Sequence, residues 1–128
     1  MRWLLAIFYA LAGYMHLSRP EPFLGIMPGW VPVPEAIVWW TGIAELLGAA
    51  AIVQLWSRSV RKAGAIGLAL YAVCVFPANI NHFALDMARE DGGFGLAYHL
   101  PRMVAQPVLV WLTLWAGGFT DWPWRRRT

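Results

Sequence analysis

Four long apolar runs, separated by short segments that collect most of the charge, fill the greater part of the sequence and restrict it more than any motif does. A bilayer's hydrocarbon core is about 30 Å thick and a helix rises about 1.5 Å per residue, so one span needs about 20 mostly apolar residues. Runs at about 35–56, 63–83 and 98–118 meet that demand, a shorter one at about 2–17 approaches it, and together they leave little chain for a soluble domain. Only 13% of the residues are charged and mean hydropathy is +0.51, whereas soluble domains carry about a quarter charged residues. The expected fold is all-α, a transmembrane four-helix bundle forming a single domain over residues 1–128.

The first run, Trp3 to Leu17, is short for a span, and Arg2, Leu4 to Leu11 and Ala10-Leu11-Ala12 also resemble a signal peptide. Cleavage would leave three spans, so the run is read as helix one. Ser18 to Pro34 is rich in Pro and Gly, which excludes a continuous helix. Its Phe23, Leu24, Ile26, Met27 and Trp30 are too apolar for a solvated loop, which predicts an interfacial segment or a lid dipping into the bundle. Helix two carries small residues (Gly42, Ala44, Gly48 and Ala49 to Ala51) suited to close packing. Helix three has Gly64 and Gly67 at its start and Pro77 as an expected kink, and Ala84 to Leu96 reads as a polar turn. Trp122, Trp124 and Arg125 to Arg127 form a tail.

Arg2, Arg58, Arg61, Lys62 and Arg125 to Arg127 fall on one side of such a bundle, with Arg19 and Arg89 on the other. The bias of Lys and Arg toward the cytoplasm then predicts cytoplasmic termini. These residues form no continuous basic stripe, so a nucleic-acid partner is not expected. The lone Cys74 provides neither a disulfide framework nor a redox pair.

Depth counting along the helices brings polar side chains from all four into the outer half of the bundle. His16 closes helix one, Glu45 lies well inside helix two, and Asn79 and His82 occupy the outer turns of helix three. His99, Arg102 and Gln106 enter helix four at spacings of three and four, on one face. An ionised side chain at mid-membrane costs about 2.5–3.5 kcal/mol on insertion scales and survives facing a partner or a cavity. Glu45 and Arg102 are the expected ion pair. One reading is a structural network, and the other is a pocket that binds a ligand or moves protons. A metal site from His16, His82, His99 and Glu45, or a two-histidine haem, is disfavoured because no HxxxH or HxxH spacing occurs.

The strings GYMHLSRPEPFLGIMPGWVP, TGIAELLG, VFPANINH and HLPRMVAQ, followed by Trp111, resemble the short bacterial members of the DoxX-like family of four-helix membrane proteins over nearly the whole chain. The ordered set is His16, Met27-Pro28, Gly42 with Glu45, Pro77-Ala78-Asn79, His82, Arg102 and Gln106. The resemblance implies a multi-pass protein of the bacterial cytoplasmic membrane. The family is named after a subunit of a thiosulfate:quinone oxidoreductase, and some relatives are linked to oxidative-stress complexes or receptor assembly. Without a catalytic or cofactor motif in the chain, the implied role is an accessory subunit of a membrane redox system. Its outer-leaflet pocket of His16, Glu45, Asn79, His82, His99, Arg102 and Gln106 would hold a quinone or another lipophile. A partner redox protein or an oligomer would accompany that role; the alternative is a non-enzymatic assembly or chaperone protein that docks a partner membrane protein on its small-residue faces, its polar network being structural.

Overall fold

A computed structural model describes residues 1–122, and these form five α-helices and no strand. In chain order they are α1 (Arg2–Ser18), α2 (Glu21–Gly25), α3 (Pro34–Val53), α4 (Arg58–Met87) and α5 (Leu96–Gly117). Trp124 and Arg125 to Arg127 lie outside the described residues. The all-α expectation holds, and α3 and α4 are each long and apolar enough to cross a membrane. Helix α1 has only 17 residues, a length of about 26 Å by the helical rise. Helix α5 interrupts its apolar run with His99, Arg102 and Gln106.

Three boundaries differ from the sequence reading for identifiable reasons. The Ser18 to Pro34 segment is not continuous helix, but it contains one helical turn, α2, with Pro22 in its first turn, where a missing N–H costs nothing. Helix α3 ends at Val53 because Gln54 turns extended. Its side chain then donates to the Ser57 carbonyl at 2.6 Å and accepts the Ser57 N–H at 2.9 Å, and Ser57 Oγ caps α4 through Val60 N. Helix α4 continues to Met87, so the expected polar turn from Ala84 is corrected and Asp86 is helical. Ala84, Leu85 and Met87 favour helix, and Pro77 removes only its own backbone donor. The chain turns at Gly92, Gly93 and Gly95, which adopt φ of 70°, 56° and 76°. Beside them Arg89 pairs with Asp91 at 2.9 Å. That guanidinium and the Gly93 amide hold the Asp91 carboxyl below the usual carboxylate range.

The long helices pack antiparallel in the order α1, α3, α4, α5, while α1 and α5 barely touch. Glycines set how closely they approach. A Cβ on Gly48 would sit 2.5 Å from Leu68, one on Gly64 2.4 Å from Ala51, and one on Gly117 2.5 Å from Ala65. The core at this end, nearer Arg58, is built from Leu5, Ala6, Tyr9, Ala49, Ile52, Ala65, Leu68 and Ala116. Gly67 faces open space instead of a neighbour.

Beyond that apolar core, large apolar side chains also lie outside and polar ones inside. Leu11, Leu47, Leu70 and Val104 point outward with 62%, 66%, 60% and 65% of their surface exposed. The interior meanwhile buries Glu45, Asn79, Asp86, His99 and Thr113. A water-soluble bundle places these classes the other way round.

Candidate functional site

At the α2 end the long helices enclose a cavity of about 420 Å³. Helix α2 and the turn after it contribute Phe23, Ile26 and Met27 to its lining. Asn81 on α4 fastens that turn by donating to the Ile26 carbonyl at 2.8 Å, and Phe23 stacks on the His16 ring with centroids 3.7 Å apart. The remainder of the lining is largely apolar, with charged and polar groups contributed by two helix pairs, α1 with α3 and α4 with α5.

The first wall belongs to α1 and α3. Gly13 is three residues before His16 and Gly42 three before Glu45, so each helix presents a glycine and a titratable group on one face. A Cβ on Gly13 would stand 2.7 Å from the Gly42 carbonyl, and one on Gly42 would stand 2.9 Å from His16 Cβ. That close approach brings His16 Nδ1 to 2.8 Å from Glu45 Oε2. The same nitrogen lies 2.8 Å from the Ala12 carbonyl. A carbonyl can only accept, so Nδ1 carries a proton. This N–H is aligned on Ala12, which leaves the buried Oε2 in close ionic contact but without an aligned donor. Tyr71 on α4 also faces the Glu45 carboxylate.

The second wall belongs to α4 and α5. Arg102 donates to Asn79 Oδ1 and to His82 Nδ1, the latter at 3.0 Å, and its guanidinium lies 4.9 Å from the centre of the Tyr98 ring. All three contacts are to neutral groups. Gln106, one turn further along α5, completes this wall, and its Oε1 is buried without a donor.

Behind Arg102 lies a second polar cluster. His99 Nε2 is 2.8 Å from Asp86 Oδ2, His82 Nε2 is 3.5 Å from the same oxygen, and the Phe94 amide donates to it at 3.0 Å. The glycine turn closes on this carboxylate so tightly that a Cβ on Gly93 would meet Asp86 Cγ at 2.2 Å. The ligand atoms of His82, Asp86 and His99 lie within 4.8 Å of one another, a spacing a metal ion could use. The chemistry around His82 opposes that use. A guanidinium only donates, so His82 Nδ1 accepts and its proton resides on Nε2, the atom a metal would have to ligate. Metal-bound histidines instead donate from their second nitrogen. The trio is a hydrogen-bonded network that positions His82, and His82 in turn helps to position Arg102.

Of the seven residues singled out in the sequence, His16, Glu45, Asn79, Arg102 and Gln106 line the cavity. His82 stands behind Arg102, and His99 is fully buried against Asp86. The expected Glu45–Arg102 ion pair is corrected. Among the described residues Glu45 pairs with His16, and no carboxylate lies within 4.0 Å of Arg102. Glu45 sits on the face of α3 that meets α1, and Arg102 is held toward α4. Asp86 and Tyr71 are not among the seven, and Phe23 comes from the segment expected to lie at the interface or dip into the bundle. The four-residue spacing of His82 and Asp86 was a usable signal, but it was hidden by placing Asp86 in a turn.

No curated protein and no solved structure matches this chain. The resemblance to the DoxX-like family is overturned by the family that does match, over residues 5–117, described as a domain of unknown function, DUF8561. The strings behind the resemblance are apolar stretches punctuated by Gly, Pro and a few polar residues, a mixture that closely packed helices with a polar interior require whatever their ancestry. With 5–117 covered, the chain belongs to the DUF8561 family.

Proposed function

We propose that this protein is a multi-pass membrane protein whose cavity holds the head group of a lipophilic molecule of the quinone class. In this reading α1, α3, α4 and α5 cross the bilayer, α2 lies at the outer interface, and Arg2, Arg58, Arg61 and Lys62 mark the cytoplasmic side. The outward leucines and buried carboxylates support the membrane placement, since lipid contacts the apolar faces and the interior shelters the charge.

The observation that carries the ligand reading is the cavity itself. Its volume of about 420 Å³ lies within the range of roughly 300–1,000 Å³ usual for small-molecule sites, and like them it is mostly apolar with a few placed polar groups. Glu45 with His16 on one wall and Arg102 on the other would hold the two oxygens of a quinone-type ring. Phe23, Met27 and Leu109 would contact the ring and the start of its tail.

The test is to extract the protein in mild detergent, identify co-purified lipophiles by mass spectrometry, and titrate short-tailed quinones against thermal unfolding. At one hundred times Kd a bound ligand adds about 2.7 kcal/mol, so a rise of several degrees is expected. No co-purified lipophile together with no shift would sink this reading.

A further inference from the structure

We infer that the cavity discriminates between redox forms of its guest, binding the hydroxyl-bearing quinol more tightly than the quinone. This rests on the ligand reading above and goes further, because it follows from which polar atoms in the cavity walls lack complements.

On the α1–α3 wall the shortage is of donors. The proton on His16 Nδ1 is aligned on the Ala12 carbonyl, and Glu45 Oε2, on a residue only 2% exposed, has no aligned donor. A carboxylate offers about four acceptor sites, and Tyr71 can supply one O–H. Gln106 Oε1, on the opposite α4–α5 wall, is a second buried acceptor without a donor. Its amide can turn over, so the argument rests on Glu45, whose carboxylate has no such alternative.

On the α4–α5 wall Arg102 has donors to spare. A guanidinium carries five N–H groups and accepts nothing. Asn79 Oδ1 and His82 Nδ1 each engage one terminal nitrogen, and no carboxylate neutralises the group among the described residues.

A quinone has two carbonyl oxygens, both acceptors. One would suit Arg102, while the other would bring a further acceptor toward Glu45. A quinol hydroxyl donates to the carboxylate as its other oxygen accepts from Arg102, and both walls are then complemented. A buried acceptor matched in one form and unmatched in the other separates the two by about tenfold.

The experiment is a redox titration of a decyl-substituted benzoquinone with the full chain in nanodiscs, followed by equilibrium binding of each form. Quinol binding tighter by about tenfold stabilises the reduced state and raises the midpoint of the bound couple by about 30 mV for two electrons. Glu45→Gln removes the charge and leaves one acceptor oxygen beside an N–H donor that can serve a quinone carbonyl, so the preference should shrink or disappear. If that variant does not fold, the direction of the wild-type shift decides alone. Equal binding, or tighter quinone binding, overturns this inference and leaves the ligand reading standing. Binding of neither form overturns both.

Discussion

Glu45 on α3 stands 2.8 Å from the ring nitrogen of His16 on α1, and this cross-helix contact is the ion pair of the cavity. Both side chains are almost wholly buried, so each would be costly without the other. His16→Ala should therefore destabilise the bundle by roughly 3 kcal/mol. Adding Glu45→Gln to that variant should cost much less than the single changes summed. A double-mutant cycle in detergent, read by thermal unfolding, gives the coupling. Glu45 and Arg102 should couple more weakly; an equal or larger value for that pair would contradict the arrangement of the two walls.

The glycine turn provides an internally controlled test. Gly92 and Gly93 both have positive φ, but only Gly93 has Asp86 where a Cβ would go. Gly92→Ala should lose the roughly 1–2 kcal/mol expected for an L residue in that region. Gly93→Ala should lose at least about 1 kcal/mol more, because it also pushes the turn away from Asp86. Equal losses in unfolding experiments would show that the turn does not close on the carboxylate.

Along α4, glycines three residues apart should respond in opposite directions. Gly64→Ala places a methyl against Ala51 and should cost roughly 1–3 kcal/mol. Gly67→Ala meets nothing within 4 Å and should gain up to about 1 kcal/mol from helix propensity. Thermal unfolding of the two variants side by side reads the sign directly.

Asn81→Ala should detach the turn after α2 by removing its bond to the Ile26 carbonyl. The expected cost is about 1 kcal/mol, accompanied by faster protease cleavage between Ile26 and Val33. Unchanged cleavage would mean that Phe23 on His16 holds the segment unaided.

Long-range apolar patterning made the helices legible in the sequence, because run length and Pro/Gly punctuation depend on neighbours in the chain. Depth counting identified which residues share the α2 end, and five of its seven choices line the cavity. It could not assign partners, since depth says nothing about rotation around the helix axis. Glu45 and Arg102 share the same end but sit on different walls. The matched spacings of Gly13 with His16 and Gly42 with Glu45 contain the missing rotational information, because a glycine marks the face where a neighbouring helix comes closest. His99 shares a face with Arg102 and Gln106 by spacing and so reads as a cavity residue, whereas an Asp86 read as part of a turn gives no hint that it is the partner of His99.

Because α1 and α5 scarcely meet, the bundle is mechanically a pair of hairpins, α1 with α3 and α4 with α5, joined along α3 and α4. The wall of His16 and Glu45 is carried by one hairpin and the wall of Arg102 by the other. Their junction is held by Gly48 on Leu68, one turn beyond Glu45, and by Gly64 on Ala51 toward the opposite end. The gap between carboxylate and guanidinium is thus governed by the angle at a glycine-lined joint, much as the tips of tweezers are governed by their spring.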